Sequence, residues 1–132
     1  MQNNDQQSVS PLGELALQTL AMPKDTNANG DIFGGWLLSQ MDLAAGITTK
    51  KIAKGRAVTV AINNVVFLLP VKVGSIVSCY AKLIEIGRSS MKINVEVWMT
   101  GEHTDNQTCK AAEGLFIFVA IDDKGDTRVI SQ

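Results

Sequence analysis

The stretch GGWLLSQMDLAAGITTKKI, residues 34–52, decides the fold. It contains no proline and consists mostly of residues that favour a helix. On a wheel of about 100° per residue it has two apolar faces. The broad face is made by Leu37, Leu38, Met41, Ala44, Ala45, Thr48 and Ile52, and the almost opposite stripe by Trp36, Leu43 and Ile47. A helix that is apolar nearly all round is buried, so either a sheet curls round it or a second subunit covers the remainder.

Four segments after this helix are predicted to be strands, at residues 56–70, 76–87, 91–100 and 110–121. Short polar connections between them favour antiparallel pairing. The third segment alternates, which predicts a core face and a polar face. The core face would hold Met91, Ile93, Val95, Val97 and Met99, and the other face Lys92, Asn94, Glu96 and Trp98.

The apolar segment before the helix, at residues 13–22, fits a strand or a helix by its pattern alone. The pattern therefore predicts an α+β domain with one helix and one antiparallel sheet. Its length of 132 residues suits a single domain, which we place at 12–132, behind a polar and disordered arm at 1–11.

Composition narrows the function classes. The formal net charge of −1 favours neither nucleic acid nor an anionic membrane, and no apolar run reaches membrane-spanning length. The polar N-terminus does not resemble a signal peptide. Two cysteines, Cys79 and Cys109, form no disulfide framework and are expected to be free thiols in the cytoplasm. No cluster of Cys, His and Asp has metal-ligand spacing, so neither a metal nor another cofactor is expected.

Asp42 is the one charged residue between Ile32 and Thr49, and its neighbours on the wheel are Leu38 and Ala45. Burying a carboxylate costs on the order of several kcal/mol unless it is paired or hydrogen-bonded. It is therefore either satisfied by local donors or part of a site.

The residues that lead into the helix, NANGDIFGGW at 27–36, are rich in glycine and asparagine. A phosphate-binding loop is disfavoured because no Lys-Ser or Lys-Thr pair follows. The set Asn27-x-x-Gly30-x-x-Phe33-Gly34-Gly35, followed by Asp42, resembles the signature of hotdog-fold acyl-CoA thioesterases. The segments QTLAMP, SQMD, GRSS and VEVW, together with the match at 70–74, are similar to the YciA-like subfamily over about residues 13–125.

The resemblance implies a hotdog fold, in which a curved antiparallel sheet wraps a long central helix, and it makes residues 13–22 a strand. It implies that Asp42 either activates water or attacks the thioester carbon directly. The amides of Gly34 and Gly35 would polarise the thioester carbonyl at the positive end of the helix dipole. Asn27 would hold the attacking water or the loop itself, and an Asx-turn role is equally good.

Gly34 and Asp42 are eight residues apart, or about 12 Å along a helix, so one chain cannot bring both to one carbonyl. If both serve one site, they come from two subunits related by a two-fold axis. We therefore predict an obligate dimer with two composite sites, and the resemblance implies a trimer of dimers.

The coenzyme A end of the substrate would need phosphate ligands. The resemblance places such contacts at the turn Gly87-Arg88-Ser89-Ser90, and Arg56 could add charge. Phe33 is expected to line the acyl or pantetheine channel. Asp31 is expected to be a helix cap or first-turn acid.

Two residues bear on alternatives. His103 is the sole histidine and lies in a polar loop, which disfavours a hotdog dehydratase. Asn63 stands where relatives often carry an acid, which affects substrate preference or rate. The predicted function is hydrolysis of acyl-CoA to a carboxylic acid and coenzyme A. The alternative is a non-catalytic module of the same fold that binds acyl-CoA and serves regulation.

Overall fold

The computed structural model describes residues 10–130. Most of the predicted disordered arm, at residues 1–9, therefore lies outside the described residues. The described chain forms five strands and one long helix, in the order β1 Glu14–Leu20, α1 Gly34–Ala53, β2 Ala57–Phe67, β3 Ile76–Ile86, β4 Ser90–Thr100 and β5 Thr108–Ala120. The segment at 13–22 is thus a strand, as the resemblance implies.

The five strands form one curved antiparallel sheet in the order β1-β3-β4-β5-β2. Consecutive strands β3, β4 and β5 are neighbours because their connections are short. β2 follows the helix and pairs with β5, so β1 and β2 are the two edges. The predicted α+β class and the wrapped helix are confirmed.

The helix packs one face against the sheet. Leu37, Met41, Ala44 and Ala45 are buried on that face, and the small alanines let the helix backbone come close to the strands. On the opposite stripe Leu43 is 55% exposed within this chain, whereas Trp36 and Ile47 are half-buried. A single sheet therefore covers only part of an apolar helix. Within residues 10–130, no helix is both long enough and apolar enough to cross a membrane.

Strand β4 differs from its alternating pattern. Its inward residues are buried as predicted, but Glu96 and Trp98 on the other face are buried too. Trp98 Nε1 donates to Glu96 Oε1 at 2.9 Å, and the backbone N–H of Leu12 donates to the same oxygen at 3.2 Å. Lys110 Nζ lies 3.3 Å from Glu96 Oε2. The segment before β1 covers this part of the outer face, so its polar groups pair with each other instead of with water.

The edge strand β2 is 11 residues long and carries exposed apolar side chains. Val58, Val60, Ile62 and Val66 have between 37% and 55% of their surface exposed. A long apolar edge is a ready template for pairing with another strand, and natural proteins normally cover or blunt such an edge. This edge lies beside the helix face that one sheet leaves open.

Candidate active site

The loop before the helix is organised by Asn27. Its side-chain Oδ1 accepts hydrogen bonds from the backbone N–H groups of Asn29 at 2.8 Å and Asp31 at 3.1 Å. Its own backbone N–H donates to the Asp31 carbonyl at 2.7 Å, and Gly30 completes the turn with a φ of +84°. Because Oδ1 holds the loop, a substrate would meet the other end of this amide, the Nδ2 donor.

The helix begins at Gly34, directly after this loop. Phe33 is the N-cap residue and makes no side-chain cap hydrogen bond. Since the first amides of a helix have no carbonyl one turn earlier, the N–H groups of Gly34 and Gly35 are suited to an external acceptor. The expectation for Asp31 is wrong: it is neither the cap nor in the first turn, and its carboxylate pairs with Lys72 instead.

Two phenylalanine rings flank the two glycines. A Cβ added to Gly34 would lie 3.2 Å from Cζ of Phe67, and one added to Gly35 would lie 3.5 Å from Cε2 of Phe33. Both rings are about half exposed. The start of the helix is therefore an amide surface between two aromatic side chains. Phe33 was among the predicted site residues and Phe67 was not.

A cleft of about 300 Å³ opens at this end of the helix. Asn27 and Gly34 both line it, whereas Asp42 does not. Most of its remaining wall is apolar and comes from the helix start and the chain after β2: Ile32, Leu37, Phe67, Leu68, Leu69, Pro70 and Val71. The structure thus brings two of the predicted residues together and keeps Asp42 apart from them.

Asp42 lies half-buried in the middle of the helix, facing β2. Thr59 Oγ1 donates a hydrogen bond to its Oδ1 at 2.6 Å. Thr59 was not among the predicted site residues, although the sequence of β2 contains a signal for it. The inward positions of β2 are small, Ala57, Thr59 and Ala61, and Thr59 is the polar one among them. A polar side chain on the inward face of an edge strand points to a partner on the helix.

The turn Gly87-Arg88-Ser89-Ser90 joins β3 and β4. It is closed by a hydrogen bond from the Gly87 N–H to the Ser90 carbonyl at 2.7 Å. A Cβ at Gly87 would lie 2.7 Å from Ser90 Oγ, so that hydroxyl would have to rotate away to make room for a side chain there. The Ser89 carbonyl accepts from Ala120 N–H at 2.8 Å, which ties the turn to the end of β5.

Arg56 lies at the same end of the sheet. Its carbonyl accepts from the Ile121 N–H at 3.0 Å, and its guanidinium donates to the carbonyls of Asp122 and Asp123 at 3.3 Å each. Arg128 Nη2 donates to the Ala53 carbonyl at 2.9 Å, which fixes this region to the end of the helix. The predicted coenzyme A residues therefore gather near the helix C-terminus, a helix length away from Gly34.

Three other predicted features are located by the structure. His103 is exposed in the connection between β4 and β5, and Asn63 is exposed on β2 opposite Leu115. Burial raises the pKa of the Cys79 thiol to about 12, which makes this cysteine an unreactive core residue. Among residues 10–130, no group of three His, Cys, Asp or Glu side chains is arranged to hold a metal ion.

Comparisons with known proteins agree with this geometry. The Thioesterase superfamily model matches residues 29–105. The acyl-CoA thioester hydrolase YciA of Salmonella typhimurium is 54% identical over 121 residues, which cover 90% of this chain and 91% of that protein.

Two solved structures are also similar. The hexameric thioesterase y2039 from Yersinia pestis has a TM-score of 0.88 and 53% identity, covering 93% of this chain and 99% of that one. HI0827, a hexameric broad-specificity acyl-coenzyme A thioesterase, has a TM-score of 0.88 and 47% identity, and the match covers 93% of this chain and 84% of that one. A match of this extent in sequence and in fold means that the chain belongs to the thioesterase superfamily and has its hotdog fold.

Proposed function

We propose that this protein is an acyl-CoA thioester hydrolase, which cleaves acyl-CoA to a free carboxylic acid and coenzyme A. The observation that carries the proposal is Asp42, a half-buried carboxylate on the central helix, oriented by Thr59 and facing the open edge of the sheet. The functions given for the similar proteins, acyl-CoA thioester hydrolase and acyl-coenzyme A thioesterase, support the same activity.

The reaction needs hydrogen-bond donors that polarise the thioester carbonyl and an oxygen that attacks its carbon. The carbonyl oxygen of the thioester lies at the amides of Gly34 and Gly35, where the helix dipole favours the negative charge that develops. Asn27 Nδ2 donates to the same oxygen or to the attacking water. Asp42 either takes a proton from water as the water attacks the carbonyl carbon, or attacks that carbon itself. In the first route the thiolate of coenzyme A leaves and the carboxylic acid forms directly. In the second route departure of the thiolate leaves a mixed anhydride on Asp42, which water then hydrolyses to release the acid and restore the carboxylate.

The site is composite, with contributions from two subunits. Gly34 and Asn27 line the cleft at one end of the helix, and Asp42 lies about 12 Å further along it. A partner that pairs its β2 antiparallel with this β2 brings the beginning of one strand opposite the end of the other. Thr59, with Asp42, is near the beginning of β2, and Phe67, with Gly34, is at its end. The Asp42 of one subunit then faces the Gly34 of the other.

Coenzyme A is held by the subunit that supplies Asp42. Arg56, Arg88 and the serines of the turn are at the C-terminal end of the helix, which is the end that faces the partner's cleft when two helices run antiparallel. The guanidinium groups and hydroxyls there suit phosphate oxygens. The partner's apolar cleft is left for the rest of the substrate.

The assembly is a trimer of such dimers in the cytoplasm. The similar proteins from Yersinia pestis and HI0827 are described as hexameric, and a dimer with two-fold symmetry is the unit that completes the catalytic site. No cofactor takes part in the mechanism.

The decisive experiment is thiol release from acyl-CoAs between acetyl and palmitoyl, with the wild type and Asp42→Asn. We expect Asp42→Asn to lower kcat by at least about a hundredfold, since it removes the base or nucleophile. Its affinity for coenzyme A should be unchanged in calorimetry. Asp105→Asn, the same substitution at an exposed aspartate, is the matched control and should keep full activity.

Two other outcomes would replace this function. A wild type that binds acyl-CoA tightly and releases no thiol from the whole series is the non-catalytic binding module. A wild type that removes water from 3-hydroxyacyl-CoA instead is a dehydratase.

A further inference from the structure

Phe67 is placed where it can limit the length of a bound molecule. It is the last residue of β2, and its side chain is 50% exposed. The outer end of its ring lies against the first turn of the helix. A Cβ on Gly34 would be 3.2, 3.5 and 3.6 Å from Cζ, Cε2 and Cε1 of that ring. The ring therefore fills the space between the end of the strand and the start of the helix.

The backbone around this ring is fixed. The N–H groups of Leu68 and Leu69 both donate to the Ala111 carbonyl, at 2.7 and 3.2 Å, which holds that wall of the cleft against β5. On the other side, the Ile32 N–H donates to the Val71 carbonyl at 3.0 Å. Because the backbone on both sides is hydrogen-bonded, the size of the cleft depends mainly on the side chains that enter it, and Phe67 is the largest of these.

The chemistry of the cleft suits the acyl arm of the substrate. The two arms diverge from the carbonyl at Gly34, and the coenzyme A arm carries phosphates that need cations and hydroxyls. The wall of the cleft is mostly apolar, the described residues that line it include no lysine or arginine, and the carboxylate of Asp31 on its rim is paired with Lys72, so the cleft suits a hydrocarbon better than a phosphate.

We infer that the Phe67 ring forms the end wall of the acyl pocket and sets the longest acyl chain that the enzyme hydrolyses efficiently. This inference rests on the proposed thioesterase function. A chain longer than the pocket must displace the ring from Gly34, and this contact adjoins the amides that stabilise the oxyanion. Overlong chains are therefore hydrolysed with both a higher KM and a lower kcat.

A size series at this position tests the inference: Phe67→Trp, Phe67→Leu and Phe67→Ala, each assayed for thiol release across straight-chain acyl-CoAs from acetyl to palmitoyl. As the side chain shrinks, the chain length with the highest kcat/KM should increase. We expect Phe67→Ala to raise kcat/KM for the longest substrates about tenfold relative to that for butyryl-CoA, mainly through KM. Phe67→Leu should lie between Phe67→Ala and the wild type, and Phe67→Trp should favour shorter chains than the wild type.

A binding measurement separates this inference from the proposed activity. With Asp42→Asn in every protein, calorimetry gives the dissociation constant of each acyl-CoA without turnover. The chain length bound most tightly should increase in Asp42→Asn/Phe67→Ala relative to Asp42→Asn alone. If the wild type releases no thiol but this binding shift appears, the proposed hydrolysis fails and the pocket assignment stands.

Leu20→Ala is the matched control, since Leu20 is an apolar residue of similar exposure, 52%, on the other edge strand. It should leave the chain-length profile unchanged. Sedimentation confirms that each variant is assembled, and Phe67→Leu serves if Phe67→Ala fails to assemble. An assembled Phe67→Leu or Phe67→Ala with the wild-type profile in both assays would overturn the inference.

Discussion

Among the described residues 10–130, one short hydrogen bond from the neighbouring strand β2 holds the carboxylate of Asp42. Thr59 donates to Oδ1, so Oδ2 is the oxygen that would meet water or the thioester in the proposed mechanism. Thr59 has a β-branched side chain, which has few rotamers, so its hydroxyl is positioned with little loss of entropy. The sequence revealed Asp42 because a charge inside an apolar helix is conspicuous, whereas Thr59 is inconspicuous in a strand rich in β-branched residues.

Replacing Thr59 by valine should therefore affect the rate more than the fold. We expect Thr59→Val to lower kcat by about tenfold to a hundredfold, because a carboxylate that is free to rotate loses its reactive geometry. KM should change little, and the free energy of unfolding should fall by only about 1 kcal/mol, the usual worth of one hydrogen bond. Steady-state kinetics and urea unfolding measure the two effects. Thr59→Ser keeps the hydroxyl and should recover most of the rate; an equally slow Thr59→Ser would refute the positioning role.

We predict that Gly34, at the start of the helix, is needed for activity but does not stabilise the fold. Gly34→Ala adds a Cβ 3.2 Å from the Phe67 ring, which is half exposed and able to move aside. We expect its melting temperature to be no lower than that of the wild type and its kcat to fall about tenfold or more, since the oxyanion amides lose their close approach. Gly46→Ala is the control.

A Cβ at Gly46 would make an ordinary 3.8 Å contact with Phe118, in the helix interior. It should stabilise the helix by up to about 1 kcal/mol and leave activity unchanged. Calorimetry and thiol-release kinetics on both variants provide the comparison. Equal activity of Gly34→Ala and Gly46→Ala would show that Gly34 is not close to the reacting carbonyl.

At the scale of elements, the local sequence pattern predicts the helices and strands that depend only on nearby residues. The helix and four strands follow from apolar periodicity, and their observed limits differ from the predicted ones by up to three residues. The segment at 13–22 was ambiguous because seven strand residues are too few for a period to decide. The buried outer face of β4 was not predictable, since Glu96 is covered by Leu12, which is 84 residues away in the sequence.

The stability of β4 depends on the pairing of its buried carboxylate, Glu96, with Lys110 on β5. Burial by itself lowers the pKa of Lys110, but the hydrogen bond from Lys110 to Glu113 and the charge of Glu96 outweigh this, so the pKa is raised above its ordinary value of 10.5. Since the folded pKa is above the unfolded one, the stability from this ion pair is fully present at neutral pH. It is lost only as the pH rises beyond about 10.5.

Removing this lysine should therefore destabilise the protein at pH 7. Lys110→Met leaves Glu96 buried without its cation, and we expect the free energy of unfolding to fall by about 3 kcal/mol in urea titrations. Lys92→Met removes the lysine of an exposed pair between β4 and Glu85 on the neighbouring β3, and should cost less than about 1 kcal/mol. The difference in unfolding free energy between Lys110→Met and Lys92→Met should become smaller when the pH rises above the pKa of Lys110. Equal losses at pH 7 would mean that burial does not strengthen the Glu96 pair.

At the scale of the whole molecule, one chain holds every part of the candidate site without assembling it. The cleft with Asn27 and Gly34 is at one end of the helix, the phosphate-binding candidates are at the other, and Asp42 lies between them. Helix geometry alone predicts this separation, because the rise per residue is fixed. The proposed dimer surface along β2 could not be predicted from the sequence, since exposed valines on an edge strand and buried valines in a central strand have the same local pattern.

A composite site predicts complementation between two inactive chains. In a dimer of Asp42→Asn with Asn27→Ala, one site carries both substitutions and the other carries neither. We expect each variant alone to be inactive and the mixed dimer, co-expressed with two tags and purified on both, to recover about half of the wild-type activity per dimer. A site built within one chain would give no recovery, because each site would carry one substitution.

The control pairs two substitutions from the same half of the site. Asp42→Asn with Thr59→Val leaves no intact site in the mixed dimer, because both residues come from the subunit that supplies the carboxylate. Its thiol release should therefore not exceed half that of the Thr59→Val protein. Recovery in the first mixture but not in the second would assign Asp42 and Thr59 to one subunit and Asn27 to its partner. Recovery in neither mixture would place the whole reaction within one chain and exclude the two-fold arrangement.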